Sequence, residues 1–201
     1  MIKNSFLKKK FLWLFLCLFF TAMLVPVTAT AAEEQIVVHD FALYQGDSKE
    51  KLVANIRFDY YLSDYLRESL LNGITLRSEV RFDLVFHSDW WWNKTEQLDS
   101  IVSELKYNAL TGQYSLFNEQ SDKSWNFSNL AAALQHLGGV NGHALPPLPD
   151  KAFANDAAVY IEATLEPRAS KSLGVPAKLS SLFSKDKYKL TSQGVMWPLT
   201  P

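Results

Sequence analysis

The sequence predicts a mainly β (α+β) domain: an antiparallel curved sheet or β-sandwich of about seven strands with two short helices. Three observations predict it. Apolar and polar residues alternate strictly over several separate stretches, the period of a strand with one buried and one wet face. Two short stretches switch to helical spacing, each with a cap before it and a glycine after it. Turn residues punctuate the remainder, and no long helical pattern alternates with the strands.

In chain order, Gln35 to Tyr44 reads as a first strand with Val37, Phe41 and Leu43 on one face. A polar turn, residues 45–50, leads to a second strand in which Leu52, Ala54, Ile56, Phe58 and Tyr60 alternate with Val53, Asn55, Arg57, Asp59 and Tyr61, so the two suggest a hairpin. Ser63 then caps a helix, because its hydroxyl can accept from a free N–H of the first turn. Leu62, Tyr65, Leu66, Ser69 and Leu70 form its mostly apolar stripe, and Asn72-Gly73 ends it. From Ile74 to His87 the period returns to two: Leu76, Ser78, Val80, Phe82, Leu84 and Phe86 face one way, Arg77, Glu79, Arg81 and Asp83 the other. That run exceeds the usual strand length and is expected to bend.

After Trp90-Trp91-Trp92, residues 93–97 read as a polar connection, followed by a strand through Ile101, Ser103, Leu105 and Tyr107. Asn108 to Gly112 turns the chain, Gln113 to Phe117 returns, and 118–123 is a polar tip. Ser128 is the expected cap of a second helix, with Phe127 stapled onto its first turn and a stripe of Leu130, Ala131, Leu134 and Leu137. Pro146, Pro147 and Pro149 exclude regular structure from Asn141 to Asp150. Ala157 to Glu166 alternates as a strand, Ser170 to Lys187 reads as a Lys- and Ser-rich loop, and Tyr188 to Trp197 as the last strand.

Length and composition fit one domain: 201 residues, 48% hydrophobic and 20% charged. The beginning is set apart. Lys3, Lys8, Lys9 and Lys10 precede an apolar run from Phe11 to Val25, and Ala29-Thr30-Ala31 offers a small-x-small cleavage site. This order is that of a secretory signal peptide over 1–31, leaving a domain over 32–201 in the periplasm; the alternative is an uncleaved inner-membrane anchor. Cleavage leaves sixteen basic and twenty-one acidic residues, a formal charge of −5. Such a domain has no basic field for nucleic acid. Cys17 is the single cysteine, so the mature domain has no disulfide and no thiol nucleophile.

Several of these residues together resemble the bacterial domain-of-unknown-function family 4390. They are Leu62-Ser63, Glu68, Leu70 and Gly73-Ile74-x-Leu76; Trp90-Trp91-Trp92; Leu105, Tyr107, Leu110-Thr111 and Tyr114; Phe127, Leu130, Ala133-Leu134 and Leu137-Gly138; and Tyr188, Leu190, Ser192 and Trp197. The resemblance spans most of the chain beyond the leader and departs between Glu166 and Leu179. It implies a proteobacterial envelope protein and carries no activity with it.

The candidate binding residues are Trp90, Trp91, Trp92 and His87. On a continuing strand Trp90 and Trp92 would extend the buried register of Phe86, while Trp91 and His87 would face water. Trp buries so much area that closing the core would explain the cluster; an aromatic platform for a partner protein, a glycan ring or the membrane interface is the functional reading. Arg77, Glu79, Arg81 and Asp83, with alternating sign, read as a solvated face. His39, His87, His136 and His143 lack metal-ligand spacing, although His136 and His143 flank a glycine turn and could meet. Ser48/Lys51 and Ser184/Lys187 have a catalytic spacing but lie in charged loops. Nothing points to a cofactor or a metal. The expected function is a non-enzymatic binding or scaffolding module whose partner is an envelope or inner-membrane protein. The alternatives are a glycan hydrolase with carboxylates from distant strands, and a lipophilic-ligand carrier.

Overall fold

The structure, a computed structural model, describes residues 34–46, 51–86, 94–154, 157–168 and 188–199. The leader over 1–31 and the loop over 170–187 lie outside them. The described residues form β1 (Gln35–Gln45), β2 (Leu52–Tyr61), α1 (Asp64–Leu71), β3 (Leu76–Phe86), β4 (Lys94–Asn108), β5 (Gln113–Asn118) and β6 (Lys123–Phe127). They continue with α2 (Leu130–Leu137), β7 (Gly139–Ala144), the single turn α3 (Lys151–Ala154), β8 (Ala158–Pro167), β9 (Leu190–Thr191) and β10 (Val195–Pro198). The strands make two open antiparallel sheets. One has the order β1-β2-β7; the other runs β10-β8-β3-β4-β5-β6, with β9 also on β8.

The alternating strands put their apolar faces into one core. Ala54, Ile56, Phe58 and Tyr60 of β2 are buried with Leu76, Val80, Phe82 and Leu84 of β3 and Val159, Ile161, Ala163 and Leu165 of β8. Each buried Leu, Ile, Val or Phe contributes about 1.5–3 kcal/mol relative to exposure. The sheets also touch directly. Tyr60 Oη and Ser78 Oγ hydrogen-bond at 2.9 Å, Phe41 meets Trp197 edge-on at 5.3 Å, and His143 stacks on Phe82 at 5.4 Å. Burial pushes the Tyr60 hydroxyl from 10.0 up to about 12, against the smaller opposing effect of Ser78. As expected, Ser63 Oγ accepts from Leu66 N at 3.2 Å, and Leu66 and Leu70 are fully buried. Gly73 sits at φ +86°, which only glycine adopts without strain.

Several elements differ from expectation, each for a local reason. In β1, Val38 pairs with Phe58 and Asp40 with Arg57, so His39 is a bulge. One extra residue reverses the alternation. Ile36 and Val38 therefore face the core before it, and Phe41 and Leu43 after it, whereas Val37 does not share that face. A second irregularity bends the β3–β4 ladder: Phe82 faces Asp99 but Asp83 faces Gln97, leaving Leu98 over, and Asp83 is buried rather than wet. Residues 94–97 belong to β4 instead of a connection, because backbone N–H and C=O groups seek ladder partners whatever their side chains.

β6 carries Ser124 and Asn126 and is too polar and short to stand out, yet it completes a hairpin with β5. That moves the cap of α2 from Ser128 to Asn129, whose Oδ1 accepts from Ala132 N at 2.8 Å. Phe127 ends β6 and packs on His136 of α2, and Ala133 replaces Ala131 in the buried stripe. The prolines begin only after β7, which pairs with β2 from Gly139 to Ala144. The last strand is broken at 192–194. Ser192 Oγ accepts from Ala163 N at 2.9 Å, and Gly194 lies on the Tyr160 ring where a Cβ would overlap it.

Candidate functional site

Trp90, Trp91, Trp92 and His87 lie outside the described residues. Their described neighbours close the end of the β3–β4 hairpin, where Phe86 pairs with Lys94. Lys151 Nζ donates to Glu96 Oε1 and Oε2 at 2.8 and 2.9 Å and lies 4.8 Å from the Phe86 ring centre. Lys94 Nζ reaches the same carboxylate at 2.8 Å. Lys151 first, then Lys94, holds the Glu96 carboxyl below its usual range.

The outer face of the seven-stranded sheet is a set of paired charges. Arg81 Nε donates to Asp83 Oδ2 at 2.8 Å, and its Nη2 reaches Glu162 Oε2 at 3.5 Å. Tyr160 Oη donates to Glu162 Oε1 at 3.2 Å; desolvation, then the Glu162 charge, raises its pKa. Arg77 meets Glu79 at 3.7 Å, and the buried Glu104 takes Lys106 on Oε2 at 3.0 Å and the Arg168 guanidinium on Oε1. The alternating signs thus form ion pairs, and burial of Asp83 and Glu104 makes part of the face less solvated than expected.

The outer face of the three-stranded sheet is different. There β1, β2 and the start of β7 run up to α2 and leave an open groove of about 800 Å³. Outward register positions supply Asp40, Ala42 and Tyr44 from β1 and Asn55 and Arg57 from β2. Ala132, Gln135 and His136 of α2, Phe127 and Asn141 form its other wall. Gly138 fixes that wall to the sheet: its carbonyl accepts from Phe58 N at 2.9 Å, and a Cβ on it would overlap the Phe58 carbonyl oxygen. Asp40 and Arg57 stand opposite each other in the ladder but form no ion pair, and neither has another partner among the described residues. Asn55 Oδ1 accepts from Gly142 N at 2.7 Å, which leaves its amide donors uncommitted. Tyr44 is 54% exposed.

The described histidines do not gather. His39 Nδ1 lies 3.6 Å from Asp59. His136 packs on Trp125 and Phe127 at 4.6 and 5.3 Å, beside the groove. His143 Nε2 meets Asp99 Oδ2 at 2.8 Å and ties β7 to β4. Of the groove residues the sequence singled out only His136, weighed as a metal ligand, and Phe127, as a staple on α2, and neither as a candidate binding residue. The signal available was the outward phase of β1 and β2; that this face stays open depends on where α2 packs.

A family model described as "Domain of unknown function (DUF4390)" matches residues 33–196. No curated protein and no solved structure matches the chain.

Proposed function

We propose that this chain, which belongs to the DUF4390 family of domains of unknown function, is a non-enzymatic binding or scaffolding module of the cell envelope. On this reading it is exported by the 1–31 leader to the periplasm of a proteobacterium, or held at the inner membrane if the leader is kept. The observation that carries the reading is the edge strand β1. It spans eleven residues, ends its sheet, and pairs with no strand on its outer side among the described residues. An edge strand without a second ladder partner offers its backbone N–H and C=O groups to an extended segment of another protein. The Trp90–Trp92 segment with His87 is the second surface proposed, as aromatic clusters are enriched in binding hot spots. The groove brings a single carboxylate, Asp40, among its described lining, whereas glycan hydrolysis uses two carboxyl groups flanking one bond. The packed interior between the sheets favours binding at the surface over a lipophilic cargo.

Photo-crosslinking in the producing cells tests this. A crosslinking amino acid at Tyr44 on β1 is expected to capture one envelope protein. The same residue at Leu110, a hairpin tip 97% exposed, is expected to capture none. Equal capture at both positions, or none at either, overturns the β1 surface. Capture from position 90, lost in a folded protein that also carries Trp91→Ala, moves the interface to the tryptophan segment.

A further inference from the structure

The groove between the three-stranded sheet and α2 has its own chemistry, and its residues select a class of ligand. One wall offers the Arg57 guanidinium and, directly across the ladder, the Asp40 carboxylate. Gln135, Asn141 and the free donors of Asn55 add planar amides, which donate and accept side by side. Tyr44 contributes an exposed ring at the same face.

Charge narrows the choice. The lining holds one acid and one permanent base, so an anion attracted by Arg57 is repelled by Asp40 at the neighbouring position. A phosphate or a polyanion therefore gains little net field. A purely apolar ligand would leave the guanidinium, carboxylate and amides desolvated without partners, which opposes binding. A ligand dense in hydroxyls has neither problem. Each sugar hydroxyl both donates and accepts, so one hydroxyl can give to Asp40 while its neighbour accepts from Arg57 or an amide. The C–H face of a pyranose ring lies well on an aromatic such as Tyr44. The groove is open along the sheet rather than closed, which suits a chain more than a single ring.

We infer that this groove binds a neutral saccharide chain, with Asp40, Arg57, Asn55, Gln135 and Asn141 as its hydrogen-bonding groups and Tyr44 as its stacking ring. The inference rests on the reading of the protein as a binding module and names a ligand class at a surface beside β1.

The test is titration of the isotope-labelled protein with neutral tetrasaccharides of glucose, N-acetylglucosamine and mannose, followed by amide NMR shifts, with inorganic phosphate and tetragalacturonate as charged probes. The expected result is saturable binding of at least one neutral tetrasaccharide, with shifts centred on Asp40, Tyr44, Asn55 and Arg57. Arg57→Met and Asp40→Asn are each expected to weaken it by about ten-fold, the loss of one charge-assisted hydrogen bond, with an unchanged melting temperature. Binding by none of the neutral probes at millimolar concentration overturns the inference. So does preference for phosphate or tetragalacturonate, or a response centred outside the groove. If the sugars fail while Tyr44 still captures a protein in cells, the binding-module reading stands and only the saccharide assignment falls.

Discussion

On the outer face of the seven-stranded sheet Arg81 reaches Asp83 at 2.8 Å and Glu162 at 3.5 Å. On the outer face of the three-stranded sheet Arg57 stands opposite Asp40 and bonds to neither it nor any other described carboxylate. The residue types match; the registers do not. In β3 the acid two positions along the same strand meets the base, as in Arg77/Glu79 and Arg81/Asp83. In β2 the equivalent acid, Asp59, makes no ion pair with Arg57 and lies 3.6 Å from Nδ1 of His39, the extra residue of the β1 bulge. A charge already paired has little left for a ligand, whereas an unpaired one at the surface keeps its hydrogen-bonding capacity.

Four substitutions or titrations can break or sharpen this contrast. The two faces share one core, so the largest effect should come from between them. Phe82→Ala removes a fully buried ring and the platform under His143, and should cost about 3–5 kcal/mol in urea unfolding. Alkaline titration comes next. The Tyr60 hydroxyl titrates at about 12 when folded and near 10.0 otherwise. A pKa raised on folding stabilises fully below the unfolded value and loses that stabilisation as pH rises through the folded one. Stability should therefore fall by roughly 2–3 kcal/mol as pH passes from about 10 to 12. Tyr60→Phe should flatten that decline, which chemical denaturation at stepped pH would show.

The third and fourth set the faces against each other. Arg81→Ala leaves the Asp83 side chain, 6% exposed, without its donor and should cost about 1–3 kcal/mol. Arg57→Ala removes an exposed, unpaired cation and should change stability by less than about 0.5 kcal/mol. Equal costs for the two, measured side by side, would show that the outer faces are not energetically distinct.

Much of the fold was legible because burial and alternation are local signals. Leu52 to Tyr60, Leu76 to Phe86 and Val159 to Leu165 each show the period of two, and each packs its apolar set inward. Ser63 and Asn72-Gly73 bound α1 through chemistry contained in the segment itself. The elements that were missed lacked such a signal. β6 and the first residues of β4 are polar strands, defined by the partner whose backbone they satisfy. The candidate site was the least legible part. Its tryptophans lie outside the described residues, and the groove draws on β1, β2, α2 and the start of β7, whose meeting no single segment announces.

By itself the sequence determined the β-rich class, the first hairpin, the two short helices with the cap of the first, and the family, since periodicity, caps and motif spacing are properties of neighbouring residues. The tertiary structure alone decided that the strands divide between two sheets, that bulges at His39 and Leu98 reset which side chains face out, and that Asp40 and Arg57 face each other unpaired. The physical reason is that ladder register and helix packing are set by contacts between residues far apart in the chain, where one extra residue turns every following side chain to the opposite face.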